Sequence, residues 1–302
     1  MDSDTWQVVS KKKAIKKKSM RPKENLVSEA GGTMQPHPLY PLKDCKAVTK
    51  QLNETVENLR LSDFWHSCHG CLKKCQQIAQ LTAGHNCGSD NLMKTLQLKE
   101  SPSSALQYID CVCYGLGNFT SCVISRHQMA FLLLILELFK IPRHQCYIFD
   151  PIFSHLEITV LQELGMTLVL KNEEGKHAVC KTTLFYMVHC GKALYNNLLW
   201  RNWSLDALSQ MIIIGNSFKG IEERLLSRIL QRDYVYIHKS LQVIEETPFP
   251  ESTQYSDIFN DTSIHSFIVA KLKNLPKEIW QPEDEPQYKE CEDLEIIRNP
   301  RS

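Results

Sequence analysis

Beyond residue 105 the chain alternates short apolar runs with longer amphipathic stretches, which is the pattern of strands joined by helical crossovers. The runs Tyr108 to Tyr114, Gln145 to Phe149, Met166 to Leu170, Thr183 to Val188 and Met211 to Ile214 predict five strands, and Tyr234 to His238 a sixth. Between them, helices are expected over Ser121 to Lys140, Ser154 to Leu164, Ala193 to Trp200 and Gly220 to Leu230. Pro142 and Gly165 stop the first two of these, and Ser154 offers an N-cap. Connections of this length force neighbouring strands to run parallel, with right-handed crossovers placing helices on both faces. The expected fold is therefore α/β, a doubly wound, mainly parallel, Rossmann-like sheet of order 3-2-1-4-5 with the sixth run as an edge strand.

Upstream, Leu52, Val56, Leu59, Phe64, Cys68, Cys71, Cys75 and Ile78 recur at steps of mostly three or four and mark one helical face, so Val48 to Gln80 reads as one long helix or a helical pair. A short Leu-rich helix between turn signals is expected within 81–104. Residues 1–44 carry four prolines and a basic cluster of Lys11, Lys12, Lys13, Lys16, Lys17, Lys18, Arg21 and Lys23, with little apolar material to pack. The expected organisation is a disordered basic tail over 1–44, a helical extension over 45–104, the α/β domain over 105–270 and a polar, acidic tail over 271–302.

Composition narrows the function classes. Lys plus Arg number 35 against 34 acidic residues, so no global charge draws the chain to nucleic acid or anionic lipid, and a nucleic-acid contact or nuclear-import signal is expected only from the Lys11 to Lys18 run. The most apolar stretch, Met129 to Phe139, carries Glu137 and is shorter than the roughly 20 residues a bilayer needs, so it reads as a buried helix and no membrane partner is expected. The polar start shows no export signal, which points to an intracellular location and to reduced thiols for the 12 cysteines. Cys68-x2-Cys71 with Cys75, His66 and His69 lacks a second paired motif to complete a zinc site, and these thiols read as core residues with no metal assigned.

In open α/β sheets ligands bind beyond the carboxyl ends of the strands, where the strand order reverses. The candidate crevice residues are therefore Gly115, Gly117 and Asn118 after strand one, and Asp150 after strand two. His189, Cys190 and Lys192 follow strand four, and Asn216 and Ser217 follow strand five. Gly115-x-Gly117 would let backbone approach a nucleoside or phosphate, and it equally suits a tight strand-to-helix turn. Thr120 replaces the third glycine of the dinucleotide pattern, and Asp150 lies 33 residues past Gly117 where about 20 is usual. Asp150 is read either as a ribose acceptor or as the anchor of the turn before Pro151. His189 and Cys190 are adjacent at a strand end, point to opposite faces and form no nucleophile–base pair. Gly191-Lys192 lacks the other P-loop residues, and no catalytic residues are assigned.

Cys113-Tyr114-Gly115-Leu116-Gly117-Asn118-Phe119, with Ser125-Arg126 and Gln128-Met129-Ala130-Phe131, resembles the opening motif of the sensitivity-to-red-light-reduced (SRR) family. The resemblance continues through Asp150-Pro151-Ile152-Phe153 and Glu157, Leu164-Gly165, Asn172-Glu173-Glu174-Gly175 and Met187-Val188-His189-Cys190. It extends to Tyr195-Asn196-Asn197-Leu198-Leu199-Trp200, Ile214-Gly215-Asn216-Ser217-Phe218 and Phe259-Asn260-Asp261-Thr262-Ser263. The family implies a regulatory role in circadian rhythm and clock-gene expression, a link to control of haem biosynthesis in animals and a cytoplasmic to nuclear location, and a regulator of this kind is expected to act through protein partners. Three readings follow: a non-enzymatic regulator with a ligand crevice, a transferase-like enzyme holding an adenosyl nucleotide through Gly115, Gly117 and Asp150, and a haem sensor using His189, Cys190 or the Cys68 to Cys75 group.

Overall fold

The computed structural model describes residues 42–83, 109–281 and 283–288. The basic cluster and the Leu-rich connector lie outside the described residues. Two helices open the described chain, α1 (Leu42–Arg60) and α2 (Asp63–Ala83). Then follow β1 (Asp110–Tyr114), α3 (Val123–Phe139), β2 (Cys146–Phe149), α4 (His155–Glu163), β3 (Thr167–Leu168) and β4 (Thr183–Met187). The second half comprises α5 (Lys192–Arg201), α6 (Leu205–Leu208), β5 (Met211–Asn216), α7 (Phe218–Arg224), α8 (Ser227–Asp233) and α9 (Val235–Ser240). It ends with β6 (Ile244–Pro248), α10 (Ser256–Phe259), β7 (Thr262–Phe267) and α11 (Val269–Lys273).

The seven strands form one sheet of order β3-β2-β1-β4-β5-β7-β6. The first five strands are parallel, and β7 lies antiparallel to both β5 and β6. The fold is thus the expected doubly wound α/β sheet in the expected order, with two strands rather than one completing its edge. The run Tyr234 to His238, expected as that edge strand, is instead helical. Asn196 Oδ1 accepts from the backbone of Tyr236 at 2.9 Å and Ile237 at 3.3 Å, satisfying donors at the start of α9. A five-residue apolar run carries no periodicity long enough to separate a strand from a buried helical turn, and this tertiary cap decides it. The single helix expected over Gly220 to Leu230 is two, because the backbone is extended at Leu225 and Leu226.

Strand alternation divides the core in two. Cys111, Cys113, Leu184, Tyr186, Ile212 and Ile214 face one layer; Val112, Tyr114, Phe185, Met187 and Ile213 face the other. Helix α3 is buried continuously from Gln128 to Leu136, as a helix apolar on all sides must be. It is sandwiched because α1 and α2 cover its outer side: Leu52, Val56, Leu59, Cys68 and Leu72 share its cluster, and Arg60 pairs with Glu137 at 2.8 Å. Phe64 stacks on Phe259 with ring centroids 5.2 Å apart, tying α2 to α10. From 271 onward the described residues close the opposite layer. Tyr288 is buried against α5, accepting from Asn196 Nδ2 at 3.1 Å and donating to Asn197 Oδ1 at 2.7 Å.

Among the described residues no helix is long and apolar enough to cross a membrane. Because Leu52 is fully buried in the layer that α1 shares with α3, Leu52→Ala is expected to lower unfolding stability by about 3 kcal/mol. A urea titration would measure it. A loss below about 0.5 kcal/mol, the surface-substitution range, would show that α1 adds nothing to that core.

Candidate functional site

The parallel strands bring the turns after β1, β2 and β4 to one rim, where each turn must satisfy its own backbone polar groups. After β1, Gly115 and Gly117 both take positive φ, 67° and 78°. A Cβ at Gly115 would sit 2.6 Å from Cys190 Sγ, and one at Gly117 2.7 Å from Ser125 Oγ, so conformation and space both require glycine. The amide of Gly117 donates to Asp150 Oδ2 at 2.7 Å, while Asp150 Oδ1 accepts from the Ile152 amide at 2.9 Å. Asp150 therefore joins the β1 turn to the β2 turn across a gap of 33 positions.

Behind it, Glu157 completes a capping box with Ser154 at the start of α4. Its fully buried carboxylate also accepts from the Thr120 amide at 3.1 Å and the Thr120 hydroxyl. Asn118, with its amide orientation assigned from the carboxylate it faces, donates to both Glu157 oxygens at 2.8 Å. Burial by itself would raise the Glu157 carboxyl, but the hydrogen bonds from Ser154 and Thr120 prevail and hold it below its ordinary value. Glu157 thus anchors the glycine turn from outside the candidate set, and Ser154-x-x-Glu157 is the sequence signal that marks it.

On the β4 side the chain turns through His189 at φ 59°. Asn216 clamps this turn, accepting from the His189 amide at 2.8 Å and donating to the Cys190 carbonyl at 3.1 Å. The buried Tyr195 hydroxyl accepts from the Asn216 amide at 2.9 Å and donates to the Met187 carbonyl. The His189 ring has partners at both nitrogens: Gln128 Nε2 lies 3.3 Å from Nδ1, and the Asn260 carbonyl lies 3.3 Å from Nε2. The Cys190 thiol turns to the other layer and donates to the Tyr114 carbonyl at 3.3 Å. The two side chains have separate partners, in keeping with their opposite directions.

These turns enclose a crevice of about 220 Å³ lined by Tyr114, Gly115, Phe149, Asp150, Pro151, Asn172, Gly175, His189, Cys190, Gly191 and Leu194. Of the candidates, Gly115, Asp150, His189 and Cys190 line it, whereas Gly117, Asn118 and Asn216 stand behind and hold its walls. Lys192 lies elsewhere, its ammonium 5.9 Å from the Tyr234 ring centroid. Ser217 is the N-cap of α7 and borders a different cleft. Tyr114 and Phe149 carry no signal of this site in the sequence, because aromatic residues at strand ends read as core, while Asn172 and Gly175 lie in the loop between β3 and β4 and Leu194 lies inside α5, away from the strand ends. The outer wall is fastened by Tyr114, whose hydroxyl donates to Glu173 at 2.7 Å, and by Asn197, which donates to the Glu174 carbonyl at 2.8 Å. Burial and the Glu173 carboxylate push the Tyr114 phenol well above its ordinary value, so it remains a donor.

The haem-ligating candidates are placed differently. Cys68 and Cys75 are buried under α2, where burial pushes both thiols up, Cys75 to about 12, away from the thiolate that binds metal. No group of three or more His, Cys, Asp or Glu among the described residues is placed to hold a metal ion.

The second cleft, of about 1070 Å³, is bordered by Ser217, Lys219, Arg224, Phe249, Tyr255 and Asp261. Glu246 at its base accepts from Ser217 Oγ at 2.5 Å, Ser263 Oγ at 3.2 Å and the Lys219 amide at 3.1 Å, with His265 Nε2 3.6 Å away. Burial would raise its carboxyl, but the neighbouring His265 and Ser217 bring it down to about 2. An unfolded Glu titrates near 4.3, so this depression favours the fold by about 3 kcal/mol above that pH and is lost as pH falls toward 2. Between pH 6 and pH 3 Glu246 is expected to account for about 2 kcal/mol of lost stability. Paired urea titrations of the parent chain and Glu246→Gln at the two pH values measure this, and equal pH losses in both would refute it.

Comparison with known proteins now bears on this rim. The SRR1 domain family matches residues 92–266. An SRR1-like protein of Mus musculus is 49% identical over 207 residues, covering 66% of this chain and 82% of its own. An SRR1-like protein of Drosophila melanogaster is 30% identical over 266 residues, covering 87% of this chain and 83% of its own. The Arabidopsis thaliana protein SENSITIVITY TO RED LIGHT REDUCED 1 is 32% identical over 177 residues, covering 56% of this chain and 62% of its own. No solved structure matches the chain. The segment that builds the sheet from β1 almost to the end of β7, with every turn of the rim, is the matched one, and the chain belongs to the SRR1 domain family.

Proposed function

We propose that this protein is a regulator that acts in circadian rhythm and clock-gene expression and in control of haem biosynthesis, with the α/β sheet as a scaffold that reads a small ligand in the crevice between β1 and β4. The observation that carries the reading is that every residue lining the crevice, from Tyr114 to Leu194, falls within the segment matched by the SRR1 domain. The plant relative is named for reduced sensitivity to red light, and a role in a light response suits a regulator. Asn216 and His189 hold the loops of the rim in place, and Asp150, which lines the crevice, supports a binding role because each of its oxygens accepts one backbone amide and keeps acceptor capacity. Action in the cytoplasm and nucleus, through protein partners, belongs to the same reading.

Depletion of the protein in cultured cells carrying a clock-gene luciferase reporter is expected to change the period or amplitude and the transcript levels of haem-synthesis enzymes. Re-expression of the parent chain should restore both. Leu194→Trp, which fills the crevice, should restore neither while retaining a cooperative melting transition. Unchanged rhythms and transcripts after depletion would overturn the proposal.

A further inference from the structure

We propose that the crevice binds a nucleoside whose 5′ substituent is neutral or cationic, such as the adenosyl group of a thioether or sulfonium compound, with the ribose diol on Asp150. This rests on the small-ligand reading above and specifies its chemistry.

Size comes first. Pockets for drug-sized ligands span roughly 300–1,000 Å³, and a volume of about 220 Å³ lies just below that range. It accommodates one nucleoside and is too small for a dinucleotide or a porphyrin.

Position comes second. The crevice sits where the strand order reverses between β1 and β4, with Asp150 directly after β2, the place from which an acidic residue receives ribose hydroxyls in dinucleotide-binding sheets. The long sequence interval between Gly117 and Asp150 argues against that role only while the chain is read linearly. Helix α3 and a 3₁₀ turn take up the interval, and the fold returns Asp150 to 2.7 Å from the Gly117 amide.

Remaining capacity comes third. A carboxylate offers about four lone-pair sites. The amides of Gly117 and Ile152 occupy one on each oxygen, which leaves one on each for the two hydroxyls of a diol. The same two bonds fix the carboxylate before any ligand arrives. Phe149, Pro151 and Leu194 provide apolar walls for a base, and positive-φ glycines at 115 and 175 keep the backbone close on two sides.

Charge decides the 5′ substituent. Among the described residues lining the crevice, Asp150 is the one carboxylate, and none is a lysine or arginine. The nearby ammonium groups are directed elsewhere, Lys192 over Tyr234 and Lys176 onto Glu174 and Glu285. The N-terminus of α5 at Gly191 shares the cavity with the Asp150 carboxylate, and its first residue, Lys192, has its ammonium by the Tyr234 ring and does not line the cavity, so a polyphosphate is poorly matched.

Isothermal titration of the full-length protein with adenosine, S-adenosylmethionine, 2′,3′-dideoxyadenosine and ATP tests this. Expected are one site for adenosine and S-adenosylmethionine, a loss of at least about tenfold on removing the diol, and no gain from the triphosphate. Leu194→Trp should abolish the heat, and Asp150→Ala should reproduce the loss seen with the dideoxy compound if it remains folded. The ligand series on the parent chain needs no variant. Absence of heat with adenosine and S-adenosylmethionine to millimolar concentration, indifference to the diol, or tenfold tighter ATP binding would each overturn the assignment. If no nucleoside binds yet Leu194→Trp still fails to rescue rhythm, the nucleoside assignment falls and the regulatory crevice stands. If nucleosides bind and the variant rescues fully, the regulatory reading falls instead.

Discussion

A carboxylate shared between two loops is the constraint on which the rim depends. Parallel strands deliver several turns to one edge, and beyond the last strand pairing, where the Gly115 amide still reaches the Phe149 carbonyl, their backbone groups need other partners. Asp150 meets this demand for the turns after β1 and β2, and Glu157 meets it for the segment that continues into α3. Asn216 does the same for the turn after β4. The crevice is the space left between loops that are fixed in this way, so its shape is set before any ligand enters.

The second layer of organisation is the burial of α3. A helix apolar on every side cannot remain at a protein surface, and in this protein the sheet covers one side while α1 and α2 cover the other. The N-terminal helices therefore contribute to the same core as the strands. Gln128 on α3 then meets the His189 ring and donates to the Ile258 carbonyl, which connects that core to the rim.

The two clefts differ in chemistry as well as size. The crevice is small and ring-walled, with one carboxylate whose oxygens keep spare acceptor capacity. The larger cleft has at its base a carboxylate with its hydrogen-bonding partners already in place, Ser217, Ser263 and the Lys219 amide, and that base stabilises the junction of β5, β6 and β7. Ser217 and Asn216 are neighbours in sequence yet serve different sites, because Ser217 caps α7 and bonds Glu246 while Asn216 bonds the turn after β4.

The sequence by itself determined the five parallel strands, their order and the rim to inspect, because alternation, crossover length and chirality are local properties that leave few arrangements. Gly115, Gly117 and Asp150 were legible for the same reason, each marking the end of a strand. Tertiary structure decided the rest. A cap from Asn196 made Val235–Ser240 a helix, and β6 and β7 closed the sheet in its place. Which candidates meet in one cavity also depended on it: Lys192 and Asn216 follow strands as Asp150 does, but one turns to Tyr234 and the other clamps a backbone turn. The direction of a side chain at a strand end depends on partners contributed by distant segments, and no local pattern encodes those partners.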